Sequence, residues 1–139
     1  MIYALDTNTV IFLLNKDAGV TAKRDKAVLA GVRYIIPPIV DYEIQRGLFY
    51  KPAPKKEKMY FALRKYYGVG EMLSEMWTSS ARIYSDLRRS GFTVGDDDIF
   101  IAAFCLANSY TLVTRNTKDF VNIPGLKLLN WVDEKEHTI

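Results

Sequence analysis

Short apolar runs separated by longer mixed stretches organise this chain. Ile2–Leu5 and residues 34–36, 111–114 and 126–129 are each three to four residues long and mostly apolar, the signature of short buried strands. Between them the pattern turns helical. Residues 9–14 predict a helix opening behind the polar Asp6-Thr7-Asn8, and residues 17–30 a more polar one. The latter carries a sparse stripe of Val20, Ala27 and Val28, with Gly31 at its end. Pro37-Pro38 closes the second strand, because proline removes a donor and restricts its neighbour. A helical hairpin follows over about 39–67. Its first arm offers Ile39, Tyr42, Leu48 and Phe49 for packing. Its second offers Met59, Tyr60, Leu63 and either Tyr66 or Tyr67, beyond a Pro-Lys break at 51–56. Residues 72–77 fit a short strand or a turn of helix. Residues 78–90 predict a regular helix packing through Ala81, Tyr84 and Leu87 and stopped by Gly91. Residues 97–108 predict a helix apolar almost all round, and such a helix belongs in the core. Residues 116–120 form a short turn or helix. Strands alternating with helices predict one α/β domain of three layers, α/β/α, around a small, mostly parallel sheet. An exposed tail is expected at about 133–139.

Composition narrows the chemistry. With 139 residues, 49% apolar and 25% charged, the chain can build a core without staples. One cysteine, Cys105, excludes an internal disulfide and a cysteine zinc cluster. One histidine, His137, lies near the end, which excludes a Ser-His-Asp triad, a Cys-His pair and a two-histidine ribonuclease. Carboxylates, lysine, tyrosine or a metal must then carry any catalysis. The start, Met1-Ile2-Tyr3-Ala4-Leu5, has no basic leader and reads as a strand. No apolar run approaches the roughly 20 residues that span a bilayer. A reducing cytoplasm without membrane attachment is the expectation. The net charge of +3 is compatible with nucleic acid.

Acids stand at the ends of these elements. Asp6 follows the first strand, where open α/β sheets place their ligands, although Asp6 and Asn8 would serve equally as helix caps. Asp96-Asp97-Asp98 precedes the apolar helix. One aspartate suffices as a cap; the three together read either as a cation site or as one cap with two solvated acids. Glu43 lies within a helix with Arg46 three residues on, and Asp41 is its rival for any role. Asp119 follows the 111–114 strand, with Asn116 one helical turn before it. Acids from separate motifs, gathered at one sheet edge without histidine or thiolate, suit Mg²⁺ or Mn²⁺. Lysines and arginines flank the motifs, and nine tyrosines and two tryptophans are available to stack on bases or to pack.

Together these motifs resemble the PIN-domain family, especially the VapC-type toxins, over Leu5 to Trp131. Leu5-Asp6-Thr7-Asn8 is similar to the opening motif. Glu43 in Asp41-Tyr42-Glu43-Ile44 matches the family glutamate, and Asp98 before Ile99-Phe100-Ile101-Ala102-Ala103 matches the third acid. Thr114-Arg115-Asn116-Thr117-Lys118-Asp119-Phe120 resembles the last motif, with Asp119 as fourth acid. Pro124-Gly125-Leu126 and Trp131 also follow the toxin subgroup. The resemblance implies a PIN-like fold and a metal-dependent endoribonuclease. Asp6, Asp98 and Asp119 would hold Mg²⁺, with Mn²⁺ as substitute, and Glu43 would orient water or hold a second ion. Thr7, Asn8, Asp96, Thr114 and Asn116 would steady the carboxylates, and Arg115, Lys118, Lys51 and Lys55 would meet substrate phosphates. It further implies an RNA substrate, with transfer RNA cut by several relatives, and a homodimer. A small VapB-like antitoxin is the implied protein partner, and operator DNA would be bound through that antitoxin. Two features depart from the family pattern: the extra acids Asp96 and Asp97, and Pro37-Pro38 where many relatives carry a small hydroxyl residue. Two other readings stay open on the residues alone. One is an aspartyl-phosphate phosphatase with Asp6 as nucleophile, although Asn8 stands where a second acid is usual. The other is a nucleic-acid-binding or interaction module whose acids only cap helices.

Overall fold

The computed structural model describes residues 1–132; the tail expected at 133–139, with His137, lies outside them. Four strands form the sheet: β1 (Ile2–Leu5), β2 (Arg33–Ile35), β3 (Thr111–Val113) and β4 (Lys127–Leu129). Their order is β2-β1-β3-β4 and every pairing is parallel. Seven helices connect them: α1 (Thr7–Leu14), α2 (Ala18–Leu29), α3 (Pro38–Tyr50), α4 (Pro54–Tyr67), α5 (Ser74–Arg89), α6 (Asp96–Asn108) and α7 (Thr117–Phe120). They complete the expected α/β/α layering.

The chain leaves β1 toward β2 on one side and later returns to β3 on the other. The β1–β3 junction is therefore the switch point of the sheet, where α/β folds open a crevice beyond the strand ends. The register pairs Leu5 with Val113, so Asp6 and Thr114 emerge side by side at that edge. Core positions explain the packing. Ala4, Leu5, Leu112 and Val113 are fully buried, and α6 buries Ile99, Ile101, Ala102, Phe104 and Cys105. Burial pushes the Cys105 thiol up, out of the reactive range. Two glycines fit tight places. Gly68 has φ +87, a conformation that suits glycine. At Gly70 a Cβ would collide with the Phe104 ring, and this closeness lets the segment bridge to Ile36.

Two segments differ from expectation. Of the two readings of residues 72–77, helix holds: Ser74 opens α5, so residues 74–77 are its first turn and the helix starts before residue 78. Its buried stripe is Met76, Ser80 and Leu87, with Ile83 packed beside it, whereas Ala81 and Tyr84 are exposed. A serine inside the stripe disguised the period; its Oγ donates to the Met76 carbonyl at 2.8 Å and so tolerates burial. On α3, Tyr42 and Phe49 face solvent, and Val40, Asp41, Ile44 and Leu48 face inward. Helix packing there runs through a buried carboxylate, which a purely apolar pattern does not register.

Candidate active site

Backbone geometry at the switch point aims Asp6. Its amide donates to the Val113 carbonyl at 3.0 Å, and its carbonyl accepts from Val10, opening α1. The Asp6 side chain accepts from the Thr7 amide at 2.8 Å through Oδ1. Oδ2 accepts from the buried Thr114 hydroxyl at 2.7 Å and from Asn8 Nδ2 at 3.3 Å. The Asp6 carboxylate therefore caps α1 and at the same time is held against the end of β3. Asn8 ties two motifs together, since its Oδ1 accepts from the Arg115 amide at 3.0 Å. Thr114 Oγ1 accepts in turn from the Asn116 amide at 3.0 Å. Asn116 contributes its backbone here and makes no side-chain cap to α7.

Glu43 reaches the same edge from α3. Its Oε1 accepts from the Thr7 hydroxyl at 2.8 Å, and Arg46 stands 4.0 Å from Oε2. Asp41, two residues earlier, points elsewhere. It accepts from Tyr60 at 2.7 Å, from Arg64 at 2.8 and 3.2 Å and from Gln45 at 3.0 Å. Although burial works the other way, the hydrogen bonds from Arg64, Tyr60 and Gln45 hold its carboxyl below the usual range. The two acids differ in their partners: Asp41 is tied to Tyr60 and Arg64 of α4, and Glu43 to Thr7 at the start of α1.

The remaining acids come from α6 and α7. Burial pushes Asp98 up to about 7, and Asp97, Asp6, Asp119 and Glu43 add like charge in the same direction. Asp6 is likewise raised, first by burial, with Thr114, Thr7 and Asn8 opposing and Asp97 adding repulsion. Glu43 is raised by burial, against the Thr7 hydrogen bond and with a hydrogen bond and charge from Asp97. The fold thus brings Asp6, Glu43 and Asp119 within electrostatic reach of Asp98. Asp97 is the further neighbour, a residue the sequence marked only as extra charge. Asp96, expected to steady the carboxylates, is exposed at the helix start as Asp97 is, but Asp97 is the one that acts on Glu43 and Asp98. The signal that separates the two is helical phase: Asp97 and Glu43 meet across the α3–α6 contact.

The cluster is open. Among the described residues no three acidic, histidine or cysteine side chains close around a single point at ligating distance. Carboxylates gain nothing by approaching further until a counter-charge arrives. A divalent cation nevertheless fits the donors, which are all hard oxygens. The ion pairs formed among the described residues give these acids only Arg46, and Arg64 is spent on Asp41. Charge of one sign is therefore left over at Asp98. A cavity of about 180 Å³ opens beside Glu43, between Ile11, Leu14, Asn15, Gly47 and Lys56. Of the expected phosphate contacts, Arg115 sits next to Asn8 with its guanidinium 5.9 Å from the Phe12 ring centroid. Lys118, Lys51 and Lys55 are exposed.

The PIN domain profile matches residues 3–126. Ribonuclease VapC2 of Rickettsia felis is 30% identical over 136 residues, spanning 94% of this chain and 98% of that protein. The tRNA(fMet)-specific endonuclease VapC of Salmonella typhimurium is 29% identical over 133 residues, with 93% and 97% covered. Among solved structures, VapBC2 from Rickettsia felis bound to a DNA fragment from its promoter superposes with a TM-score of 0.85. Identity there is 26%, over 95% of this chain and 100% of that one.

Proposed function

Because this chain belongs to the PIN-domain family, in its VapC-type branch, we propose that it is the ribonuclease toxin of a toxin–antitoxin pair. It hydrolyses RNA phosphodiester bonds at Asp6, Glu43, Asp98 and Asp119, with Mg²⁺ as cofactor and Mn²⁺ as substitute. The observation that carries this reading is Asp98, half-buried beside Asp97, Asp6, Asp119 and Glu43, with Arg46 the one cation ion-paired to these acids among the described residues. Asp6, Asp98 and Asp119 are the residues to hold the ion. When bound, it supplies a Lewis acid that favours attack by water and departure of the leaving oxygen.

The chain's own residues do the positioning. Thr114 and Asn8 lock Asp6 in one rotamer. Thr7 fixes Glu43 through Oε1, leaving Oε2 to accept a proton from water. Burial raises the Glu43 carboxyl, which makes it a better base than an ordinary glutamate. Arg115 and Lys118 beside the last motif, and Lys51 and Lys55 at the α3–α4 turn, meet the substrate phosphates. The Salmonella relative makes transfer RNA the first substrate to try. The Rickettsia complex makes a small VapB-like antitoxin the expected protein partner, with operator DNA reached through it. A homodimer and a cytoplasmic location complete the proposal; among the described residues no helix is long and apolar enough to cross a membrane.

The test is end-mapping of RNA treated with antitoxin-free protein. Site-specific cuts in transfer RNA with Mg²⁺ or Mn²⁺, abolished by EDTA and by Asp6→Asn or Asp98→Asn, are expected. RNA binding without any cut would favour the binding-module reading instead.

A further inference from the structure

Arg46 is held at the acids without being spent on them. It stands one helical turn after Glu43 on α3, with a guanidinium nitrogen 4.0 Å from Glu43 Oε2 and the side chain 60% exposed. Arg64 on α4 is the contrast. It closes on Asp41 with hydrogen bonds of 2.8 and 3.2 Å, the two-point clasp that a guanidinium makes with a carboxylate. Arg46 makes no hydrogen bond to any described residue. Its other contact is the Tyr42 ring, whose centroid lies 5.1 Å away. A ring face attracts a guanidinium through its charge and leaves the N–H donors free. The donors of Arg46 are therefore held beside Glu43 and left unpaired.

Three roles fit a cation in this position, and geometry separates them. A counter-charge that only neutralised Glu43 would close to hydrogen-bonding distance, as Arg64 does on Asp41. A lid over the acids would bury its head among several carboxylates, whereas Arg46 pairs with one and is mostly exposed. A phosphate clamp needs a steadied guanidinium with free N–H edges, next to the group that handles the attacking water. Arg46 has that form. Thr7 occupies Glu43 Oε1, so Oε2, the oxygen that Arg46 approaches, is the one left for water. Lys51, Lys55 and Lys56 form no ion pair with these acids among the described residues and have no such anchor.

We propose that Arg46 is a catalytic residue: its guanidinium binds the non-bridging oxygens of the scissile phosphodiester and stabilises the negative charge that collects on them as water attacks. This deepens the ribonuclease reading and rests on it. In the step, the water oxygen bonds to phosphorus while Glu43 Oε2 takes its proton. The bond from phosphorus to the leaving ribose oxygen breaks, and that oxygen takes a proton from solvent. Arg46 keeps its own protons throughout. Its contacts strengthen as charge builds, so removing them slows the reaction more than it weakens substrate binding.

The experiment is single-turnover cleavage, with Mn²⁺, of the RNA that wild type cuts. Wild type is compared with Arg46→Ala, Arg46→Gln and Arg46→Lys as full chains. Mn²⁺ binding without RNA and thermal melting are measured on the same proteins. The rate at saturating protein should fall about 10²-fold in Arg46→Ala and Arg46→Gln and less in Arg46→Lys. The half-saturating protein concentration should change less than the rate, and Mn²⁺ affinity should be kept. Guanidinium chloride should restore part of the rate lost in Arg46→Ala where sodium chloride at equal concentration does not. Cleavage by folded Arg46→Ala within threefold of wild type would overturn the proposal. Faster cleavage would make Arg46 a lid. A loss that guanidinium does not restore, or that comes with weaker Mn²⁺ binding, would make it a support for Glu43; either result overturns the proposal. The two readings fail differently. Wild type that cuts no RNA with Mg²⁺ or Mn²⁺ defeats the ribonuclease reading, and this inference falls with it. Wild type that cuts while Arg46→Ala keeps pace defeats this inference alone.

Discussion

Asp41 and Glu43 stand two residues apart on α3, and the fold treats them in opposite ways. Asp41 turns toward α4, where Arg64 and Tyr60, together with Gln45 of its own helix, satisfy both of its oxygens and hold its carboxyl down. Glu43 turns toward Asp6, Asp97 and Asp98, where burial and like charge hold it up, with Thr7 as its hydrogen-bond donor. One carboxylate is a finished structural joint between two helices. The other belongs to a group whose charge the protein itself does not neutralise. Separating structure from function among buried acids thus depends on counting partners, since burial is common to both.

The largest expected effect dissociates the two regions. Asp98→Asn should reduce RNA cleavage on the order of 10²–10³-fold while raising the melting temperature of the ion-free protein, because it removes an uncompensated charge. Asp41→Asn should do the reverse. It should cost on the order of 1–3 kcal/mol of stability in a denaturant titration, leaving Arg64 without its partner, with cleavage per folded molecule kept. Loss of activity by both variants at equal foldedness would erase the distinction.

A smaller effect concerns the supports. Thr114→Val removes the 2.7 Å hydrogen bond to Asp6 and leaves the shape nearly unchanged. Divalent-ion affinity, read from the Mn²⁺ dependence of cleavage, should fall about 10–100-fold. Unchanged affinity would mean that Thr114 merely fills space.

The two acids also predict opposite pH behaviour. Asp98 is raised to about 7 from 3.8, so the folded ion-free protein holds its proton more tightly than the unfolded chain. Stability from this group falls as pH rises from about 4 to about 7 and is level above that. Asp41 is lowered from 3.8; its contribution is present above pH 4 and is lost on further acidification. Melting of the ion-free wild type should therefore lose stability between pH 5 and 7.5, and Asp98→Asn should flatten that slope. Added Mg²⁺ should stabilise more at pH 7.5 than at pH 5. The smallest effects are expected at α6: Asp97→Asn should weaken the pH slope in part, and Asp96→Asn should leave it unchanged.

Much of this was legible in the residues. Short apolar runs gave the four strands, and Asp6, Glu43, Asp98 and Asp119 were marked by position at element ends and by family motif. The α5 stripe was misread because the buried Ser80 interrupts it while Trp77 and Tyr84 lie partly exposed. Asp41 could not be separated from Glu43 by spacing, since its partners Tyr60 and Arg64 come from α4, 19 and 23 residues away. Asp97 was hidden for a similar reason: its neighbour Glu43 comes from α3, a distant part of the chain. Sequence patterns report what an element buries, and long-range partnerships decide what a buried charge is for.

The most direct test is a Mn²⁺ binding titration, followed by electron paramagnetic resonance of the free ion, on wild type, Asp98→Asn and Asp41→Asn without RNA. The account predicts saturable binding by wild type and Asp41→Asn and its loss in Asp98→Asn. Equal binding by wild type and Asp98→Asn, or binding abolished by Asp41→Asn in a folded protein, would contradict it.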